Sequence, residues 1–174
     1  MSEFFLELFS EEIPAGLQKN LREKLLEDFQ KLFEKNSIKS KKNFSLSSPN
    51  RLVLVFENLE KQIKIKSEEI KGPKIDSSNQ ALEGFVRSNK INKKDLYERN
   101  TEKGRFYFYK TKSKILRTHD LLIEFIPKIL EDYKWNKSMK WGDFSLNWGR
   151  PLKSILAVFD KKKLNFKFHH LVSS

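Results

Sequence analysis

The stretch from Lys137 to Phe159, KSMKWGDFSLNWGRPLKSILAVF, constrains the fold more than any other part of this chain. Trp141 and Trp148 are each followed directly by a glycine. An indole offers a large rigid apolar face, and glycine lets the backbone turn or be closely approached. Arg150 precedes a proline, which drives it toward extended geometry and away from helix. Beyond Pro151, Ile155-Leu156-Ala157-Val158-Phe159 reads as a strand buried on both faces. An aromatic-plugged turn feeding a core strand is the expected outcome.

The rest of the chain supplies partners for such a strand. Phe4, Leu6 and Leu8 alternate with Phe5, Glu7 and Phe9, which is strand periodicity. Pro14 then opens a helix in its first turn, where no amide donor is needed, with Glu11 and Glu12 suited to the positive end of the helix dipole. Leu17, Leu21, Leu25, Phe29, Leu32 and Phe33 form its apolar stripe, ending near Asn36. A polar, basic loop is expected over Ser37 to Asn43, then a central strand at Leu52–Phe56, whose apolar run is continuous and β-branched. Gln62–Lys66 alternates as a strand with one exposed face, which Gly72-Pro73 is expected to end. Asn79 is expected to cap a short helix carrying Leu82, Phe85 and Val86, and Asn92 with Asp95 a second small turn. Phe106–Tyr109 reads as strand after a turn at Lys103-Gly104. Thr118 is placed as the cap of a helix with Leu122, Phe125, Ile126, Ile129, Leu130 and Tyr133 on one side, kinked or begun late because of Pro127. Leu164–Phe168 alternates, and the chain stops at His169-His170-Leu171-Val172-Ser173-Ser174 with no capping element, as if cut. This order predicts an α+β fold: a mixed, mainly antiparallel sheet packed by two longer and one or two short helices. Residues 1–174 are taken as one body region, with a sub-boundary expected near 72–80.

Composition narrows the function classes. Without cysteine, disulfides and thiolate metal sites are excluded, and no apolar run reaches the length of a membrane span. A cytoplasmic, membrane-free protein is the expectation. The formal charge of +12 is uneven, since residues 1–36 carry −3 and residues 37–174 carry +15. Such a surface favours polyanions through counterion release. Yet 28 of the 35 cations are Lys, as AT-rich coding would also give, whereas specific phosphate recognition favours the arginine fork.

No catalytic constellation stands out. His119, His169 and His170 have no nearby carboxylate at metal spacing, and the last two read as an exposed strand end. Gly72-Pro73 and Gly104 do not make a phosphate loop. Glu11-Glu12 reads as a dipole complement rather than an acid–base pair. Catalytic residues, a metal and a bound cofactor are therefore all expected to be absent.

Six blocks, in order, resemble one family. FLELFSEEIPAG at Phe5–Gly16 is similar to the opening strand and helix start of the bacterial glycyl-tRNA synthetase β subunit. SPNRLVLV at Ser48–Val55 resembles that family's threonine-proline-arginine-arginine-leucine motif, with Asn50 in place of the first arginine and Arg51 keeping the second. KGP at Lys71–Pro73, ALEGFVRSNKI at Ala81–Ile91, KGRFYFYK at Lys103–Lys110 and the Lys137–Phe159 stretch complete the set. After Arg150-Pro151 the family has an aromatic two or three residues on, where this chain has Lys153-Ser154.

The resemblance implies the amino-terminal part of a longer subunit, without its carboxy-terminal anticodon-binding domain. It implies a heterotetrameric (α2β2) glycine–tRNA ligase in which the α subunit holds the site for glycine and ATP, while the β subunit binds tRNA and supports activity. Arg51, Lys140, Trp141 and Arg150 are then the candidates for RNA or α-subunit contact, because Arg and exposed Trp stack on bases, bind phosphates and are enriched at interfaces. Two other readings fit the residues: a stand-alone basic RNA-binding module, and a purely structural subunit-docking fragment.

Overall fold

The computed structural model describes residues 2–135 and 138–174. Lys137, the first residue of the Trp–Gly stretch, lies outside them. The fold is α+β, with mainly antiparallel strands, and divides into two compact units: Met1–Ile63 with Leu116–Ser174, and Lys64–Ile115.

The first unit is built on β1 (Glu3–Ser10). It pairs antiparallel with β3 (Arg51–Glu57) on one side and β9 (Leu152–Phe159) on the other. The sheet is completed by β2 (Lys42–Ser48) beside β3 and the short β10 (Lys162–Lys163) beside β9, giving the order β10-β9-β1-β3-β2. Alternation sends Phe4, Leu6, Leu8, Leu52, Leu54, Phe56, Ile155, Ala157 and Phe159 to one fully buried face. Helix α1 (Ala15–Lys35) lays Leu21, Leu25, Phe29, Leu32 and Phe33 into that core. Phe4 meets Phe29 at 5.5 Å between ring centroids, and Phe33 meets Phe56 edge-on at 4.9 Å. Helix α3 (Thr118–Glu131) adds Leu121, Leu122, Ile126 and Leu130 to the same core.

Several expectations are corrected here. Pro14 is the residue before α1, not within its first turn, and that turn contains no acidic residue. β9 is buried on one face only: Ile155, Ala157 and Phe159 are covered while Leu156 and Val158 stay half-buried. Strand β2 occupies residues 42 and 43 of the expected loop and extends to Ser48. Helix α3 starts at Thr118 as its stripe suggests and runs through Pro127; Thr118 donates its hydroxyl to the Glu60 carbonyl rather than capping.

The second unit is a three-stranded antiparallel sheet, β5 (Glu69–Lys74), β7 (Gly104–Lys110) and β6 (Leu96–Thr101), in the order β5-β7-β6. Strands β4 (Gln62–Ile65) and β8 (Lys114–Arg117) carry the chain out to it and back. Gly72-Pro73 does not end a strand; it forms a bulge inside β5, between Lys71 and Lys74. Helix α2 (Asn79–Asn89) is preceded by Ser78, with no side-chain cap from Asn79, and places the Phe85 ring against Gly72. Asn92 precedes a single 3-10 turn, closed by the Asp95 amide donating to the Asn92 carbonyl.

The chain's last residues are not an exposed strand end. Short strands β11 (Lys167–Phe168) and β12 (Leu171–Val172) form a hairpin whose turn is His169-His170, with His169 at φ +50°. The Ser174 amide then donates to the Ile155 carbonyl of β9 at 2.9 Å.

Candidate RNA and subunit contact residues

The four candidates fall in two settings, both in the first unit. In one, the segment Ser10–Ile13 between β1 and α1 is fastened from both sides by backbone bonds. The Ser10 amide donates to the Asn50 carbonyl and the Ile13 amide to that of Pro49, while the Glu11 amide donates to the Pro151 carbonyl at 2.9 Å. Arg51 and Arg150 therefore flank one segment although they stand far apart in sequence. Arg51 is exposed on β3, its Nε 3.4 Å from the Glu7 carboxylate and its guanidinium 4.7 Å from the Phe9 ring centre. Arg150 is half-buried and donates Nε–H to the Glu12 carbonyl at 3.0 Å. Each arginine uses one edge to brace the fold, and its terminal nitrogens make no other bond among the described residues.

The other setting follows α3. Trp141 is half-buried with its ring edge-on to His170, and Lys140 beside it is exposed with no carboxylate partner among the described residues. Trp148 is the plug: it is buried, stacks on Tyr133 at 5.7 Å, and meets Trp135 edge-on at 5.0 Å. The Tyr133 hydroxyl donates to the Leu21 carbonyl of α1 at 2.5 Å, and burial, with Asp28 adding to it, pushes that phenol well above its ordinary pKa. Trp135 was not singled out in the sequence, yet its indole fills the space over Gly149.

One arrangement that sequence spacing could not reveal is a histidine–carboxylate pair. His169 Nε2 lies 2.6 Å from Glu131 on α3, and its Nδ1 lies 3.3 Å from the Ser145 hydroxyl. These three residues share the lining of a cleft of about 460 Å³ with Trp135 and Trp148. The order resembles a nucleophile, base and acid, but Ser145 and Glu131 are both exposed. The set is a surface tether that ties the β11–β12 turn to the end of α3. Among the described residues no group of three or more His, Asp or Glu could hold a metal ion, and no helix is long and apolar enough to cross a membrane.

Comparison with known proteins supplies the assignment. The model of the family described as "Glycyl-tRNA synthetase beta subunit" matches residues 4–174. Among curated relatives, a protein of Rickettsia felis named glycine–tRNA ligase beta subunit is 40% identical over 174 residues, covering 100% of this chain and 26% of the relative. Proteins of the same name from Rickettsia prowazekii and Rickettsia typhi are 40% and 41% identical over 171 residues, covering 98% of this chain and 26% of each relative. The chain thus spans about a quarter of the length of the curated relatives it matches. With the family's motifs gathered at the Ser10–Ile13 fastening and the tryptophan plug, and its model matched nearly end to end, the chain belongs to the glycyl-tRNA synthetase beta subunit family.

Proposed function

We propose that this chain serves the ATP-dependent attachment of glycine to its tRNA as the amino-terminal body of a β subunit that binds tRNA. In this reading an α subunit carries the site for glycine and ATP, and the two assemble as α2β2 in the cytoplasm. The observation that carries it is the family match over residues 4–174. His169 is tethered between Glu131 and Ser145, and His170 stacks on Phe144. Arg51, Lys140, Trp141 and Arg150 are proposed contacts for RNA or the α subunit; each of the two arginines retains terminal nitrogens that can fork onto phosphate.

The test is charging of tRNA with glycine by the complete β subunit together with the α subunit. Charging that needs both chains, with tRNA affinity that falls when β is withheld, is the expected result. Full charging and undiminished tRNA affinity by the α subunit alone would refute the proposal. Arg51→Ala in the complete complex should weaken tRNA binding and lower the slope of log affinity against log salt by roughly 0.7–0.9, one released counterion. Unchanged binding across salt concentrations would remove Arg51 from the contact.

A further inference from the structure

One face of the second unit's sheet carries aromatic and basic side chains in register. Residues opposed across an antiparallel ladder share a face, as do residues two apart along a strand. One row is Lys71, Phe108 and Tyr97, and the next is Lys74, Phe106 and Arg99. Lys71 and Lys74 are three apart, so a regular strand would point them to opposite faces. The bulge at Gly72-Pro73 absorbs the extra residue and turns both ammonium groups onto one ring: their Nζ atoms lie 3.6 and 5.8 Å from the centre of Phe106. The bulge itself requires glycine, since a Cβ at position 72 would come within 3.0 Å of the Tyr107 carbonyl oxygen and 3.1 Å of the Phe85 ring. On this face Lys71, Lys74, Tyr97 and Arg99 are exposed, while Phe108 is buried.

Charge sets the two lysines apart. The unit holds 14 Lys and Arg against 7 Asp and Glu. Arg99, Arg105 and Lys93 are each matched to a glutamate, at 2.7, 2.6 and 3.4 Å. Lys71 and Lys74 have no carboxylate among the described residues, although they converge on the same ring. Two like charges held together over an aromatic surface call for an anion that also has a flat apolar part. Tyr97 stacks on Phe108 at 6.1 Å and keeps 38% of its surface exposed, so a second aromatic platform lies one row away. Adjacent rows are separated by two residues of strand, about 7 Å.

We propose that this face binds unpaired nucleotides of RNA, with bases on Tyr97 and Phe106 and phosphates at Lys71 and Lys74. A base arriving on Phe106 displaces the Lys71 ammonium toward the incoming phosphate, so the cation–π contact is exchanged for an ion pair. Flat sheets with aromatic rows take splayed bases, and stacking tolerates any base, so shape and charge rather than sequence are read here. This inference rests on the RNA-binding reading of the subunit and gives it a surface.

The experiment measures binding of the complete subunit, assembled with its α partner, to a glycine tRNA transcript and to a labelled oligouridylate at several salt concentrations. The Lys71→Gln/Lys74→Gln double variant should lower the salt slope by about 1.4, two single-strand counterions. Tyr97→Ala should weaken binding roughly 5- to 150-fold with little change in slope, while Tyr97→Phe, which keeps the ring, should bind normally. Normal tRNA binding by all three variants would overturn this surface and leave the RNA-binding reading standing. If the unaltered complex binds tRNA no better than the α subunit alone, both fall. If the variants impair assembly with the α subunit instead, the face is a protein interface and the proposal is wrong.

Discussion

Gly149→Ala tests the packing of the tryptophan plug directly. A Cβ built on Gly149 would stand 1.9, 2.2 and 2.5 Å from three ring carbons of Trp135, where ordinary contact begins near 3.4 Å. The indole must therefore retreat by about 1.5 Å or the backbone must move, and the Met139–Trp148 bridge beside it resists the second. Overpacking of this kind costs ~1–3 kcal/mol. If Trp135 instead swings out, it loses its edge-on contacts with Tyr133 at 5.3 Å and Trp148 at 5.0 Å, each worth ~0.5–1.5 kcal/mol. Part of that loss is returned, because the Trp135 indole N–H is buried without a partner among the described residues and regains water, which offsets ~1 kcal/mol. The expected net loss is about 1–2 kcal/mol, the smaller value by the second route. Urea unfolding followed by tryptophan fluorescence reads it cleanly, since all three tryptophans belong to the first unit. The decisive measurement is the double-mutant cycle: in a Trp135→Ala background the same change should cost nearly nothing. An equal cost with and without Trp135 would refute the argument.

Other consequences can be checked as simply. Gly84→Ala lies in α2 with nothing within 4 Å of the added Cβ, so it should stabilise that helix by about 0.5–1 kcal/mol, read as slower hydrogen exchange of α2 amides. Tyr133→Phe should cost about 1 kcal/mol at neutral pH through the hydrogen bond lost at the Leu21 carbonyl. The folded-state pKa of Tyr133 is raised, so its share of stability is whole below about pH 10 and is lost as pH rises, at up to ~1.4 kcal/mol per pH unit; the variant should lack that added alkaline slope. Leu122→Ala, at a side chain with no exposed surface, should cost ~2–5 kcal/mol in urea unfolding.

Much of the core was legible because burial imposes periodicity. The α1 stripe, the β1 alternation and the central position of β3 all follow from which residues face which. The elements that escaped are those whose order comes from elsewhere. Strand β2, KNFSLSS, is polar and sits at the sheet edge, where its ladder to β3 holds it while Leu46 remains exposed. Strand β6, LYERNT, is polar along most of its length and is held by cross-strand pairs such as Arg105 with Glu98. Gly72-Pro73 reads as a stop in any local window, and only the register against β7 reveals a bulge. The approach of Glu131 to His169 is likewise invisible to spacing, because the turn that makes it joins residues 38 apart.

The motifs that carried the family resemblance have a common structural cause. SEEIP, SPNR and GRP lie at the start, the first third and the end of the chain, yet they meet around Ser10–Ile13. A segment leaving a central strand for a helix cannot join either, so its amides need partners from outside. Pro49 and Pro151 supply carbonyls there while, as prolines, they bring no competing N–H. Arg150 then bonds the Glu12 carbonyl that the turn leaves over, and Arg51 bridges Glu7 and Phe9 on the adjoining strand. A fold-stabilising role and a contact role for these arginines are thus not rivals. A guanidinium that bonds the fold through one edge leaves its other edge free for the proposed contact, which a lysine, with a single point of charge, could not do from the same position.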